Sequence, residues 1–257
     1  MRKFYLFVLV VLTVCLGCQW HLKSSTEETK DHRVKIERYD RIETLFLTTG
    51  DYSALQQMNT EYTMQTRTLI ENVLCLGKVD ESDINTRFYG FYQDSTLQSI
   101  LSEVQLQYEN MDDISSQLSD AFQRLRRLLP GIQIPRVYTQ ITSLDQSIVV
   151  GDGLLGISLD KYLGQDYPLY KRYGYSDRQR AMMNRSYIVP DCIGFFLLSL
   201  YPSENIHAHM PKIQYVVNRA VGKKIFDDDS VNQVEKYMQE HVNLTVDALL
   251  KDSIHII

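Results

Sequence analysis

The sequence predicts an α+β fold, predominantly helical with one small sheet. Three observations predict it: apolar residues recur at helical spacing between residues 34 and 129, the period falls to two between 134 and 159, and helical stripes resume near 177. A composition of 44% hydrophobic and 23% charged residues suffices to bury a core and is neither that of a disordered chain nor that of a membrane-spanning one. The expected organisation is a signal segment over residues 1–17, a polar tether over 18–33 and a single helical α+β domain over 34–257.

The chain opens with Met1-Arg2-Lys3, and Phe4 to Gly17 carries no charge, which is the basic head and apolar body of an export signal. That run is too short to span a bilayer, because a helix rising about 1.5 Å per residue needs about 20 apolar residues to cross. It ends in Leu16-Gly17-Cys18, a small residue followed by a thiol that can accept a diacylglyceryl group. Cleavage before Cys18 and a covalent lipid on that cysteine are therefore expected, with the membrane reached through the lipid. Removing residues 1–17 takes away Arg2 and Lys3 and no acid, so the formal charge passes from −5 to −7. No basic stripe large enough for nucleic acid follows, since Arg124, Arg126 and Arg127 read as a solvated helix face. Gln19 to Arg33 is polar and aperiodic and reads as the tether.

Residues 34–50 place Ile36, Ile42, Leu45 and Phe46 at helical spacing and stop at Gly50. A long helix is predicted next, its stripe running Leu55, Met58, Tyr62, Leu69, Ile70, Val73 and Leu74 to Gly77. Ser82-Asp83 is expected to cap a helix bearing Ile84 and Phe88, and Ser95 another bearing Leu97, Ile100, Leu101 and Val104. Ile114, Leu118, Phe122, Leu125 and Leu129 mark one more, closed by Pro130-Gly131. Ile134 to Ile141, Ser147 to Val150 and Leu155 to Leu159 then read as three strands of one sheet, the last two joined by a reversal at Gly151-Asp152-Gly153. A helix opens near Asp177, and an apolar one runs from Ile188 to Tyr201 with Pro190 at its start or at a kink. Beyond Met210 the chain reads as helical, with Ser230 and Gln233 at capping-box spacing and Asp227-Asp228-Asp229 favouring a helix N-terminus over a cation site.

Common catalytic signatures are missing: there is no His-Glu-x-x-His, Gly-x-Ser-x-Gly or glycine-rich phosphate loop. His207-Ala208-His209, read as an extended segment, would put two imidazoles on one face. Without further ligands at a fitting interval it stays a weak metal candidate against a solvated loop. Asp152, Asp160 and Asp166 cluster in sequence, but read better as a turn, a cap and a turn than as paired catalytic carboxylates. Cys75 and Cys192 sit in apolar stretches and are expected as two buried thiols rather than a bridge. Tyrosines are dense from 162 to 201, and their amphipathic rings suit either core packing or a binding surface. The candidate surface comprises Tyr162, Asp166, Tyr167, Tyr170, Tyr173, Tyr187 and Asp191.

The run from Gly151-Asp152-Gly153-Leu154-Leu155-Gly156 through Asp166-Tyr167-Pro168-Leu169-Tyr170 resembles the signature stretch of the GldB gliding-motility lipoproteins of Bacteroidetes. Met183-x-Arg185-x-Tyr187-Ile188-Val189-Pro190-Asp191 is similar too, and the resemblance covers most of residues 35–202. It implies a cell-envelope lipoprotein that gliding relatives need for movement over surfaces. Anchoring by lipid at the outer membrane, facing the periplasm, is expected, and the lack of acid–base or nucleophilic pairs points to a part that binds another envelope protein. The resemblance brings no enzymatic activity and no cofactor other than the lipid. It also implies a distant zincin-like arrangement, in which residues 177–201 would be the metal-bearing helix. That helix contains no histidine here, so a zincin-like hydrolase would have to use His207, His209 and Glu204 instead. Glycan binding by the aromatic region is the remaining alternative.

Overall fold

The computed structural model describes residues 33–251, and the signal segment, Cys18 and the tether as far as residue 32 lie outside them. Strand β1 (Ile36–Glu37) leads into α1 (Tyr39–Thr49). Gly50 ends that helix in the left-handed conformation and donates its N–H to the Phe46 carbonyl at 2.8 Å. The predicted long helix is instead α2 (Tyr52–Thr60), α3 (Thr63–Arg67) and a π-helical turn over Thr68–Val73. The apolar stripe crosses these breaks unbroken, so periodicity alone could not reveal them.

Three helices follow as predicted: α4 (Ile84–Phe91), α5 (Ser95–Gln107) and α6 (Asp112–Leu128). Two caps differ. Asp94, not Ser95, caps α5 through Thr96 N–H, and Asp83 pairs with Arg87 at 2.9 Å instead of capping α4. In α6 the acids Asp112 and Asp113 open the helix and Arg126 and Arg127 close it, which complements the helix dipole. Arg126 and Arg127 are exposed as expected, while Arg124 is half-buried and donates to the Ala220 and Val221 carbonyls at 3.2 and 3.0 Å.

The sheet has four strands rather than three, in the order β1-β2-β4-β3, with β2 (Arg136–Gln140), β3 (Ile148–Gly151) and β4 (Leu154–Ser158). β1, β2 and β4 run parallel and β3 is antiparallel at the edge. The sequence reading missed β1 because two residues cannot show a period of two, and Ile36 also fits the helical stripe. Its pairing partners, Val137 and Tyr138, come from the other half of the chain. β4 is buried along its whole length and β2 beyond Arg136, the pattern of strands covered on both faces.

Two short turns after β4, a 3-10 turn (Leu159–Tyr162) and α7 (Pro168–Arg172), precede α8 (Asp177–Met182), whose capping box is made by Ser176 and Gln179. A 3-10 turn at Arg185–Tyr187 then feeds α9 (Ile188–Leu200), so residues 177–201 are not one helix. Pro190 sits in the first turn of α9, where its missing N–H costs nothing. α9 packs on β3 and β4, α1 packs on β2, and α6 and α10 (Ile206–Val221) pack on each other and on α9. α11 (Asp229–Glu240) and α12 (Val246–Leu250) complete the described chain. Asp228 caps α11 through Ser230 and Val231 N–H, which displaces the expected Ser230–Gln233 box, and Asp227 pairs with Lys224 at 3.0 Å. Among the described residues no helix is long and apolar enough to cross a membrane.

Candidate functional site

β4 runs straight into the 3-10 turn Leu159–Tyr162, which delivers Asp160, Lys161 and Tyr162 in succession. The first turn of α9 supplies Asp191 opposite them, and the Tyr162 hydroxyl donates to Asp191 Oδ2 at 2.7 Å. Around this pair opens a cleft of about 240 Å³, walled by Met182, Met183 and Phe195 and floored by Ser147, Lys161 and Tyr175. Phe195 lies one helical turn beyond Asp191, so both face the cleft; it is 41% exposed and Met182 38%. Large apolar side chains left this open beside a polar floor are the ordinary make-up of a binding site.

The floor is fixed by its own hydrogen bonds. The Lys161 ammonium donates to the Leu144 carbonyl at 3.2 Å and to the Tyr175 hydroxyl at 2.8 Å, and lies 4.4 Å from the Tyr175 ring centre. Tyr175 in turn donates to the Leu144 carbonyl at 2.7 Å. That carbonyl belongs to a loop in which Ser143 and Leu144 both take the left-handed conformation, at φ 53° and 67°. Holding non-glycine residues there costs of order 1–3 kcal/mol each, so something must fix the loop. Asp160 does so, accepting Leu144 N–H at 2.6 Å and Thr142 N–H at 3.0 Å. Tyr170 clamps the turn from behind: its hydroxyl donates to the Asp160 carbonyl at 2.6 Å and accepts Leu163 N–H at 2.8 Å.

The candidate surface thus divides. Tyr162 and Asp191 line the cleft; Tyr170 is fully buried and structural; Tyr167 and Tyr187 are half-buried. Asp166 and Tyr173 are exposed, Tyr173 at 57%, and neither lines the cleft. Asp152 is the exposed turn residue expected, at φ 51°, and Asp166 also lies in a turn. Asp160 is not a cap but a buried anchor. Lys161, Ser147, Met182 and Phe195 escaped the sequence reading because they reach the cleft from separate segments. The spacing of Asp191 and Phe195 on an otherwise apolar helix was the one available signal.

Burial governs the electrostatics. It pushes Asp191 up to about 6, against the opposing hydrogen bond from Tyr162, and pushes Asp160 to about 6 against its backbone donors and Lys161. Behind the floor, Glu43 of α1 is wholly buried, with one oxygen accepting Ile141 N–H at 3.0 Å and the other unpartnered. Burial raises it well above the usual carboxyl range, and the nearby Asp160 and Asp40 carboxyls add to the effect. For Asp191 the linkage sign follows: a carboxyl raised in the folded state is bound to its proton more tightly there. Its contribution is full below about pH 4 and is lost as pH rises to about 6. Asp191→Asn is therefore expected to gain stability relative to the parent on passing from pH 4 to pH 7.5. Urea midpoints of both proteins at the two pH values test this; a constant difference between them would refute it.

The histidine pair departs from expectation. Both residues lie in α10 rather than on an extended segment, and residues two apart in a helix point to nearly opposite sides; His209 is buried while His207 and Glu204 are exposed. Among the described residues no group of three or more metal-ligating side chains comes together. Cys192 is buried as expected, but Cys75 is exposed at φ 52° where the π-helical turn ends, and both are free thiols.

A family model described as gliding motility protein GldB matches residues 21–218. No curated protein and no solved structure matches the chain.

Proposed function

The chain belongs to the GldB family of gliding motility proteins, and from that premise we propose that it is a lipid-anchored, non-enzymatic envelope component that captures a partner protein in the cleft between the 3-10 turn and α9. The observation that carries this reading is the pairing of open apolar walls, Met182 and Phe195, with a polar floor whose hydrogen bonds are already made. A site of that kind suits insertion of an apolar side chain flanked by backbone, because the pocket loses little entropy on binding. Lys161 and Tyr162 are held by the protein itself, which favours recognition over proton transfer. No histidine or cysteine lines the cleft.

The family's lipoprotein character, the basic and apolar leader and Leu16-Gly17-Cys18 support anchoring through a lipid on Cys18, at the outer membrane and facing the periplasm. Cys18→Ala is expected to abolish incorporation of labelled palmitate and to release the protein from the membrane fraction. Phe195→Asp is expected to leave lipidation intact while removing the partner recovered by pull-down from solubilised envelopes. A Cys18→Ala protein that still takes up label would refute the anchor, and a partner retained equally by Phe195→Asp would refute the cleft.

A further inference from the structure

A second cavity, of about 210 Å³, shares no lining residue with the cleft. Thr68, Asn72, Tyr138, Gln146 and Asp152 supply its polar groups, and aliphatic side chains such as Val149 complete the wall. Tyr138 reaches it by an unusual route. Tyr138, Gly156 and Val149 sit side by side in register on three adjacent strands, and the ring lies across Gly156, where an added Cβ would stand 2.5 Å from Tyr138 Cζ and 2.6 Å from its hydroxyl oxygen. Tyr138 as a residue is only 1% exposed, and it is among the residues that line this cavity. A hydroxyl at the end of an otherwise buried ring is a fixed donor and acceptor for whatever enters the cavity. Thr68 and Asn72 are presented by the π-helical turn, a rare wide turn that is frequent at functional sites.

The chemistry of the lining narrows the occupant. It contains no lysine, arginine or histidine, and its one charge is the exposed Asp152 carboxylate, so an anion is disfavoured. Amides and hydroxyls that both donate and accept match vicinal hydroxyl groups, which do the same, while an aliphatic wall suits the C–H face of a ring. At about 30 Å³ per water the space equals about seven waters, the scale of one sugar ring rather than a polymer. We propose that this cavity binds a single neutral monosaccharide ring, with the Tyr138 hydroxyl as its central hydrogen-bonding group and Asn72 and Gln146 on either flank.

Saturation-transfer NMR on the whole folded chain tests this, with glucose, galactose, mannose and N-acetylglucosamine as probes and inorganic phosphate as the charged control. Transfer is expected from at least one neutral sugar and none of it displaced by phosphate. Tyr138→Phe removes only the hydroxyl and keeps the ring over Gly156, so affinity should fall about tenfold, the loss of one buried hydrogen bond. Asn72→Leu, which fills the cavity from the helical side, should abolish transfer. Absence of transfer from all four sugars, displacement by phosphate, or binding indifferent to both substitutions would overturn the assignment.

Discussion

Replacing Asp160 by alanine is expected to lower the free energy of unfolding by about 2–4 kcal/mol at neutral pH, because each of two buried N–H donors left without an acceptor costs about 1–3 kcal/mol. Those donors are Leu144 N–H and Thr142 N–H, and both fix a loop that is otherwise conformationally unfavourable. Part of the loss is offset, since a carboxylate whose pKa is raised to about 6 by burial is itself uncomfortable when ionised. Asp160→Asn keeps one acceptor oxygen and should lose less than the alanine variant. The cleft suffers with the loop: the Leu144 carbonyl that receives both Lys161 and Tyr175 is no longer held, so partner capture should fall in Asp160→Ala even below its melting range. Denaturant unfolding and pull-down read the two effects separately. A stability loss under about 1 kcal/mol would show that Asp160 does not pin the loop.

Gly156→Ala is expected to destabilise the protein by about 2–3 kcal/mol, at the upper end of overpacking costs in a well-filled core. Its Cβ would collide with the Tyr138 ring, which is 1% exposed and packed edge-on to Tyr39 at 6.3 Å between centres, so the ring must shift toward the cavity that it lines. The two positions should be coupled. In the Gly156→Ala background, shortening the aromatic side chain by Tyr138→Leu should restore part of the loss, although Tyr138→Leu alone destabilises. A Gly156→Ala protein within about 0.5 kcal/mol of the parent would mean that Tyr138 does not need the open space over the strand.

Much of this arrangement is legible in the sequence, and the exceptions have physical reasons. Helices α4, α5, α6 and α9 follow from apolar stripes because each buries one face against neighbours, and the three longer strands follow from alternation closed by the Gly151–Gly153 reversal. β1 is invisible because its identity lies in pairing with β2, not in its own residues. Asp160 reads locally as a cap, since nothing in its neighbourhood says that the 142–144 loop will fold back onto it. Tyr162 and Asp191 belong to the surface expected from the sequence, whereas Lys161 carries no signal there, because the Leu144 and Tyr175 groups that hold it come from separate segments. His207 and His209 misled because alternation implies a shared face only in a strand, and α10 is a helix.

The central claim is that the cleft beside α9 is where this envelope protein meets its partner, and a photocrosslinker tests it most directly. With benzoyl-phenylalanine in place of Phe195, illumination of intact cells should join the lipidated protein to one envelope protein. The same probe at Val242, an 82% exposed position outside the cleft, should not. Failure to form an adduct at 195, or the same adduct formed equally from 242, would contradict the account.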